Sequence, residues 1–499
     1  MNSRIILTTC LLGVAAVAAS CAFSPSYAID GSLDALGVSA PAAPGSWKPA
    51  PDGDAGIAVS AAVEWGALDA DDACARAGDL RRIVSASYYA FPVDWLDPRE
   101  SIDPSAIDLE EAVARSEPLD SIRLPRKALA YGGLFPGEAG YPLVRRVVVT
   151  ARVTGRDPGG RLAAAAAEYL AGFVVDPAPV GLTWLGAIGD VMPGKGTSAM
   201  LLEPDSPEKV FKRALPAMLR QDLLVANLET AVTDRGTEWP KTFRFRTPAA
   251  ALAPLSASGI DVVSLSNNHV FDFTEVGFSD TLAALKASGM PFVGAGSSWD
   301  EAVRPFEWSS GAERVSLWAL GAFPVERTGF SGLAHASIQR GEPGLLWADA
   351  AAVEAVSSAM KARRQDGSRN GSLLVVSVHA GLEYTYGPYG VQTTLYRSLI
   401  DAGADIVLGH HPHVLQPMEW YSGAERSGLI VYSLGNFVFD DIEDNPKGLE
   451  SMVLSLGVSG GAIRAVRVYP VRMDGYTVDL DDGDAISGML WSMSASWAE

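Results

Sequence analysis

VVSLSNNHVFDF, Val262 to Phe273, begins as a short apolar-rich run. It stops at two asparagines and a histidine, with an aspartate three residues further on. A run of this length and composition predicts a buried strand. The chain has only six histidines in 499 residues, and one of them stands where that strand ends. In α/β sheets the loops beyond the carboxyl ends of the strands gather side chains from several strands around a ligand. Asn268, His269 and Asp272 are therefore candidates for the wall of a cleft.

The pattern repeats in both directions. TWLGAIGD ends at Asp190 and LLVANLE at Asn227 and Glu229. LLVVSVHAG ends near His379, DIVLGHHPH at His410, His411 and His413, and LIVYSLGN at Asn436. Helices with clear boundaries lie between several of these runs. Ser206-Pro207-Glu208 supplies an N-cap, a first-turn proline and an acid. Thr274-Glu275 opens another helix, which Gly289 closes. Near-continuous apolar strands alternating with helices predict an α/β fold whose sheet is covered on both faces.

A lone histidine after a strand is usually structural. Here five of the six stand at such ends, His335 excepted, together with an Asp, a Glu and an Asn. That set describes a hydrolytic site for Mn, Fe or Zn, one or two ions per chain, rather than a thiolate site. The competing reading is a buried polar network. His411 and His413 can point to one side of a loop or serve two neighbouring metals. Asn268 offers an amide oxygen. His269 can donate to a leaving group while Asp272 orients its other nitrogen.

Composition sets the limits. Apolar residues make up 48% and charged residues 20%, as in a globular protein. A net charge of −20 argues against nucleic acid, which needs basic patches. It serves solubility, and it leaves room for an anionic substrate held by a metal or a few arginines. Arg4 followed by an apolar run from Ile5 to Ala19 reads as a secretory signal, so the protein is expected to be periplasmic or on the outer surface. The signal ends either at SYA, Ser26 to Ala28, or before Cys21 in AASC, which would make a lipoprotein. Residues 29–60, rich in Ala, Pro, Gly and Asp, read as a flexible tether. Residues 61–175 read as an accessory α+β module, in which YPLVRRVVV resembles the closing segment of solute-binding lobes; a structural appendage without ligand is the alternative. The α/β domain covers 183–475, and 476–499 reads as a C-terminal tail. Cys10, Cys21 and Cys74 allow no disulfide framework.

GDVMPGKG, VANLETAV, FRFRTP, DVVSLSNNHVFDFTEVGFSDTL, VSVHAGLEY, GADIVLGHHPHVLQP and IVYSLGNFVFD follow one another between about residues 183 and 440. In that order they resemble the CapA family, capsule and poly-γ-glutamate synthesis proteins with a metallophosphatase-like fold. The resemblance implies the four-layer α/β/β/α sandwich of calcineurin-like phosphoesterases. It implies that Asp190 and His413 serve one metal, that Asn268, His379 and His411 serve a second, and that Glu229 stands at the bridging position. It places His269 near the leaving group. Two departures stand out. Asp190-Val191-Met192 replaces the D-x-H of phosphoesterases, and a thioether is a poor ligand for a hard cation. Glu229 is one methylene longer than the usual aspartate.

Basic residues complete the set. In KTFRFRTP, Arg244 and Arg246 share a face at period two and could clamp a carboxylate or phosphate, or be plain surface charge. Lys195 could meet an anion or be solvated. Asn227 and Asn436 are further substrate-binding candidates. Glu383 with Tyr384, Tyr386 and Tyr389 lines a groove or packs a loop. The resulting expectation is an exported metal-dependent hydrolase acting on a phosphoester or amide. Its partners would be an anionic envelope polymer or small phosphoester, and a membrane reached by a lipid anchor or a synthesis complex. The alternative is a non-catalytic polymer-binding or assembly component. Met192 favours the alternative; His269 with Asp272 favours the enzyme.

Overall fold

The computed structural model describes residues 24–65, 79–92, 101–102, 117–118, 126–127, 130–131, 134, 138, 141, 144–157, 159–174, 182–365, 372–424, 426–440, 446–483 and 485–498. They fall into two compact units, one drawn from 1–86 and 144–178, the other from 87–143 and 179–499. Residues 1–23, with the apolar start, Cys10 and Cys21, lie outside the described residues, as does Cys74.

The first unit contains β1 (Ser26–Ile29), α1 (Ser32–Ala35), β2 (Lys48–Pro49), β3 (Ile57–Trp65), the first part of β4 (Asp79–Pro92), β5 (Val144–Val153) and α2 (Arg161–Ala171). β1 lies parallel between β2 and β3, and β3 pairs antiparallel with β5. Period-two alternation decides the core face. Ile57, Val59 and Ala61 of β3 and Val147, Val149 and Ala151 of β5 cluster with Ala166, Tyr169 and Leu170 of α2. Asp157 accepts the N–H groups of Leu162 and Ala163 at 2.9 and 3.0 Å, satisfying two donors of the first turn of α2.

Residues 29–60 differ from the flexible tether expected of them. They carry α1, β2 and the start of β3, with Leu33, Trp47 and Ile57 buried. Average composition hid these three widely spaced apolar anchors. SYA, one of the two candidate signal endings, lies in β1, where Ser26 Oγ accepts the Gly56 N–H at 2.7 Å.

The second unit lays down β6 (Thr183–Met192), α3 (Lys195–Leu201), α4 (Ser206–Phe211), β7 (Leu223–Leu228), β8 (Val262–Ser264), α5 (Thr274–Ser288) and β9 (Phe292–Val293). There follow β10 (Phe306–Ser310), β11 (Glu313–Ala322), α6 (Ala350–Gln365), β12 (Ser372–Ala380), α7 (Gly390–Asp401), β13 (Ile406–His410), β14 (Met418–Ser422) and β15 (Ser427–Val431). The last elements are β16 (Asn436–Phe439), β17 (Glu450–Ser459), β18 (Ala462–Asp474), β19 (Thr477–Leu480) and α8 (Ala485–Ala498). One sheet runs β9–β8–β7–β6–β17–β18–β19, with β16 also paired to β6; the other runs β10–β11–β12–β13–β15–β14. β6 to β9 are mutually parallel, as are β11, β12, β13 and β15.

Both faces of these strands are apolar, and alternation sends successive residues to different cores. Leu185, Leu223, Val225 and Val262 of the first sheet share one cluster with Leu317, Val375, Ile406 and Val431 of the second. Leu224, Ala226 and Val263 join Phe211 of α4 and Phe278 and Leu282 of α5. Leu374, Val376 and Val407 join Val356 and Met360 of α6 and Tyr396 and Leu399 of α7. The fold is thus mixed α/β with several sheets, as the strand–helix alternation predicts.

The expected C-terminal tail, 476–499, is instead part of this unit. β19 extends the first sheet, and Ile486 and Leu490 of α8 enter the cluster shared by the two sheets. Ser494 Oγ accepts the Met418 N–H at 2.9 Å. No described helix is long and apolar enough to cross a membrane.

Candidate metal centre

Two glycines let the site strands close in. Gly189 precedes Asp190 on β6, and a Cβ there would lie 2.0 Å from the Gly435 carbonyl oxygen. Gly409 precedes His410 on β13, and a Cβ there would lie 1.9 Å from the Tyr432 carbonyl oxygen. Without side chains at these positions, the neighbouring backbone passes close behind Asp190 and His410.

Asp190 is fully buried. Its Oδ1 is 2.9 Å from Asn227 Nδ2 and 3.0 Å from His410 Nδ1. Its Oδ2 accepts the His411 N–H at 3.3 Å and lies 3.4 Å from His413 Nδ1. Glu229 Oε1 lies 3.4 Å from His379 Nε2, which in turn is 2.9 Å from Asn268 Oδ1. Donor atoms of Glu229, His379 and His411 fall within 4.8 Å of one another, and so do those of Asp190, Glu229 and His413. Glu383, on the loop after β12, forms a third such group with His411 and His413.

His411 and His413 have φ of 94° and 58°. Non-glycine residues rarely adopt this region, and such strain persists where the surroundings over-determine it. Here it turns two imidazoles on either side of Pro412 into one cluster, their ring centroids 5.8 Å apart.

Glu229 Oε1, His410 Nε2 and His411 Nδ1 are buried and have no hydrogen-bond partner among the described residues. Such orphans are costly unless something else satisfies them. The electrostatics point the same way. Burial, then the charge of Asp190, push Glu229 well above the usual carboxylate range. Burial also pushes Asp190 up, but hydrogen bonds from His410 and His413 outweigh it and hold that carboxyl well below. Burial, then the neighbouring imidazoles, lower His379 strongly and bring His411 down to about 3. His413 goes the other way: burial lowers it, but Asp190 outweighs burial and raises it. Two carboxylates that repel, beside His379 and His411 lowered by burial, suit a bound cation. The donors are nitrogen and oxygen throughout, so the residues fit a divalent metal of the Mn, Fe or Zn kind.

Beside this cluster stands a second chain of contacts. His269 Nδ1 is 2.7 Å from Asp272 Oδ2, which also accepts the Phe245 N–H at 2.7 Å. Asp272 Oδ1 meets the Lys241 ammonium at 2.8 Å. Lys241 is buried, and it also donates to the Asn268 carbonyl at 2.6 Å and pairs with Glu326 at 2.8 Å. Glu326 Oε1 accepts from Asn268 Nδ2 at 3.2 Å. One ammonium thus ties the residue bearing a candidate ligand to the acid beside His269.

Asp190, Glu229, Asn268, His379, His411 and His413 come together, with His269 and Asp272 adjoining. Asn227 and Asn436, expected to bind substrate, are instead fully buried supports. Asn227 Nδ2 donates to Asp190, and Asn436 Oδ1 lies 2.8 Å from His413 Nδ1. A strand-end amide can face a ligand or a neighbouring side chain, and the sequence does not separate the two. Arg244 and Arg246 are exposed; Arg244 pairs with Glu238 at 3.0 Å, and Arg246 lies 5.0 Å from the Phe273 ring. Lys195 is exposed at the first residue of α3.

Met192, the poor ligand in place of a histidine, is fully buried in the apolar cluster that joins β6 and β7 to the helices. Pairing registers shift around Asp190 on both sides of β6, so counting by twos from the aspartate does not give the methionine's environment. His410, one of the five strand-end histidines, joins the cluster through Asp190, a contact the sequence did not assign. Lys241 and Glu326 were not among the expected site residues. Lys241 and Glu326 enter only because distant loops fold back onto Asn268, and neither carries a local pattern.

The family described as bacterial capsule synthesis protein PGA_cap matches residues 184–441. PGA biosynthesis protein CapA of Bacillus subtilis (strain 168) is 32% identical over 256 residues, 51% of this chain and 62% of that protein. Capsule biosynthesis protein CapA of Bacillus anthracis is 30% identical over 259 residues, 51% of this chain and 59% of that protein. The chain therefore spans less than two thirds of these two relatives. A probable polyglutamine synthesis accessory protein of Mycobacterium tuberculosis (strain ATCC 25618 / H37Rv) is 30% identical over 288 residues, 51% of this chain and 73% of that protein. Among solved structures, TT1561 of Thermus thermophilus aligns with a TM-score of 0.32 at 11% identity, covering 57% of this chain and 98% of that one; so low a score carries no argument. With its family match across more than half its length, the chain belongs to the bacterial capsule synthesis protein PGA_cap family.

Proposed function

We propose that the chain is an exported metal-dependent hydrolase acting on a phosphoester or amide bond in an anionic envelope polymer of the poly-γ-glutamate or capsule class. The observation that carries this reading is the buried carboxylate–imidazole cluster with three orphaned donor atoms, set beside the His269–Asp272–Lys241 chain. A purely structural polar network would be expected to satisfy those atoms internally. We further propose that the two sheets and their helices form the four-layer α/β/β/α sandwich of the calcineurin-like phosphoesterases.

In this reading Asp190, Glu229 and His413 would hold one ion, and Glu229, Asn268, His379 and His411 would hold a second. Divalent ions there would polarise the scissile group and lower the pKa of water. The chain's own residues do the rest. His410 and Asn227 hold Asp190 in place, and Asn436 orients His413. Asp272 accepts the Nδ1–H of His269, and the imidazolium form of His269 would give its Nε2–H to the leaving oxygen or nitrogen and become the neutral Nδ1–H imidazole. Lys241 fixes the rotamer of Asp272.

Export rests on Arg4 and the apolar run after it. The place of Ser26–Ala28 within β1 supports the earlier signal ending, before Cys21, and anchoring through that cysteine or through a synthesis complex. The partners are then the membrane and an anionic polymer, with no nucleic acid.

Metal analysis of the purified full chain, combined with turnover of an aryl phosphate and of a γ-glutamyl amide, tests the reading. His269→Ala should keep its metal and lose roughly 10²–10⁴-fold in turnover, as for a general acid. Metal lost from His269→Ala would break the role assignment. Metal bound without turnover of either substrate by the unaltered protein would leave the polymer-binding alternative.

A further inference from the structure

A cleft of about 580 Å³ lies away from the metal cluster, lined by Trp184, Arg220, Gln221, Ser455, Arg467 and Tyr469, with Glu138 on its wall. Trp184 lies near the start of β6, and Asp190 near its end. Six residues of strand, at about 3.3 Å each, separate the two places by about 20 Å.

Arg467 is the centre of this cleft. Its guanidinium lies 5.4 Å from the Trp184 ring and 5.8 Å from the Tyr469 ring. Nη1 also donates to Tyr469 Oη at 3.0 Å. A guanidinium set against two aromatic rings has its plane fixed, and its fork suits a planar carboxylate. The group in the fork is the Glu138 carboxylate, at 2.9 Å from Nη1 and 3.2 Å from Nη2. Arg220, with 65% of its side chain exposed, lies 3.9 Å from the same carboxylate. Two cations thus converge on one carboxylate in a chain of net charge −20. The cleft still has the volume of an ordinary ligand site.

We propose that this cleft is a carboxylate-binding site for a polycarboxylate chain, and that Glu138 is its tethered occupant. The proposal deepens the hydrolase reading and rests on it for the identity of the polymer. A chain of γ-linked glutamates carries one free carboxylate per residue, so it can offer one to this fork while another part lies elsewhere. Glu138 competes from within, and the affinity for an outside carboxylate falls by the fraction of molecules in which the fork is open.

Calorimetric titration of the full chain with a γ-linked glutamate pentamer tests this. Glu138→Gln, which keeps the shape and removes the charge, should bind the pentamer about 10-fold more tightly than the unaltered protein. Adding Arg467→Lys should abolish the gain, because an ammonium has no fork. A pentamer with amidated carboxylates should bind to neither. Equal or weaker binding by Glu138→Gln would overturn the proposal and make the pair a structural clamp. If Glu138→Gln does not fold, Arg467→Lys alone should weaken pentamer binding about 10-fold, and an unchanged affinity would overturn the proposal equally. Metal content and aryl-phosphate turnover of Glu138→Gln should match the unaltered protein. Absence of turnover in both would sink the hydrolase reading without touching the titration result.

Discussion

Lys241 offers the sharpest perturbation of the site. Its side chain is fully buried, and its ammonium meets Asp272 at 2.8 Å, Glu326 at 2.8 Å and the Asn268 carbonyl at 2.6 Å. Lys241→Met keeps the length and removes the charge. Breaking a buried pair by deleting one partner costs about 3–5 kcal/mol, because the remaining charge stays buried without compensation. Two features place this case at the lower end. Asp272 keeps its contacts with His269 and the Phe245 N–H. Glu326 is 20% exposed and can turn to water. A loss of about 3 kcal/mol follows, and at about 2 °C per kcal/mol for a large domain the melting temperature should fall by about 6 °C. Turnover should fall further than stability explains, because both Asp272 and the Asn268 backbone lose an anchor. Thermal melting followed by circular dichroism, with aryl-phosphate turnover measured well below the transition, separates the two effects. A shift under about 1 °C would show that Lys241 is not the tie between Asn268 and Asp272.

His379→Ala and His411→Ala each remove a direct donor, and each should lower the metal content of the purified protein; unchanged metal in both would end the metal assignment. Met192→His puts an imidazole into an apolar cluster, so it should destabilise by about 1–3 kcal/mol in chemical denaturation without raising metal content; a gain of metal would restore the methionine as a missing ligand. Burial raises the Glu301 carboxyl, but Lys286 at 2.6 Å and Ser297 outweigh it and bring the group to about 2. A depressed carboxyl stabilises the fold above its unfolded value of 4.5, and this is lost as pH falls toward 2. Glu301→Gln should therefore cost up to about 1 kcal/mol at pH 7, given its partial exposure, and the difference from the unaltered protein should shrink below pH 4.5; a difference independent of pH would refute the assignment.

The sequence carried the strands of the second unit because both of their faces are apolar. Runs such as LLVVSVHAG need no alternation to be recognised, and their polar endings mark the rim of the sheet. It carried His269 with Asp272 because they are three positions apart, a distance local geometry can close. It did not carry residues that act through tertiary return. Lys241 reaches Asn268 across 27 positions, and Glu326 reaches it across 58. Composition also misled at both ends of the described chain. Between residues 29 and 60 a few anchors decide the fold against an Ala, Pro and Gly background. Beyond residue 476 the apolar residues of α8 lie in a chain end that reads as a tail by position, yet Ile486 and Leu490 close the core between the sheets.

The same limit explains Asn227 and Asn436. A strand-end amide was read as facing the ligand, whereas both hold ligand-bearing side chains. That arrangement has a consequence for the cluster. With Asp190 tied by Asn227 and His410, and His413 tied by Asn436, the donors on one side are fixed before any cation arrives. On the other side, Glu229 Oε1 and His411 Nδ1 are held by burial and by the strained turn, with no hydrogen bond of their own. Burial and the charge of Asp190 push Glu229 up, so either a proton on Glu229 or a cation between the two carboxylates relieves their repulsion. Preorganised donors lower the cost of binding, and unrelieved repulsion raises the free energy of the cation-free state. Both effects favour occupancy, so a cation bound by this cluster would stabilise the protein by an amount that grows with ion concentration.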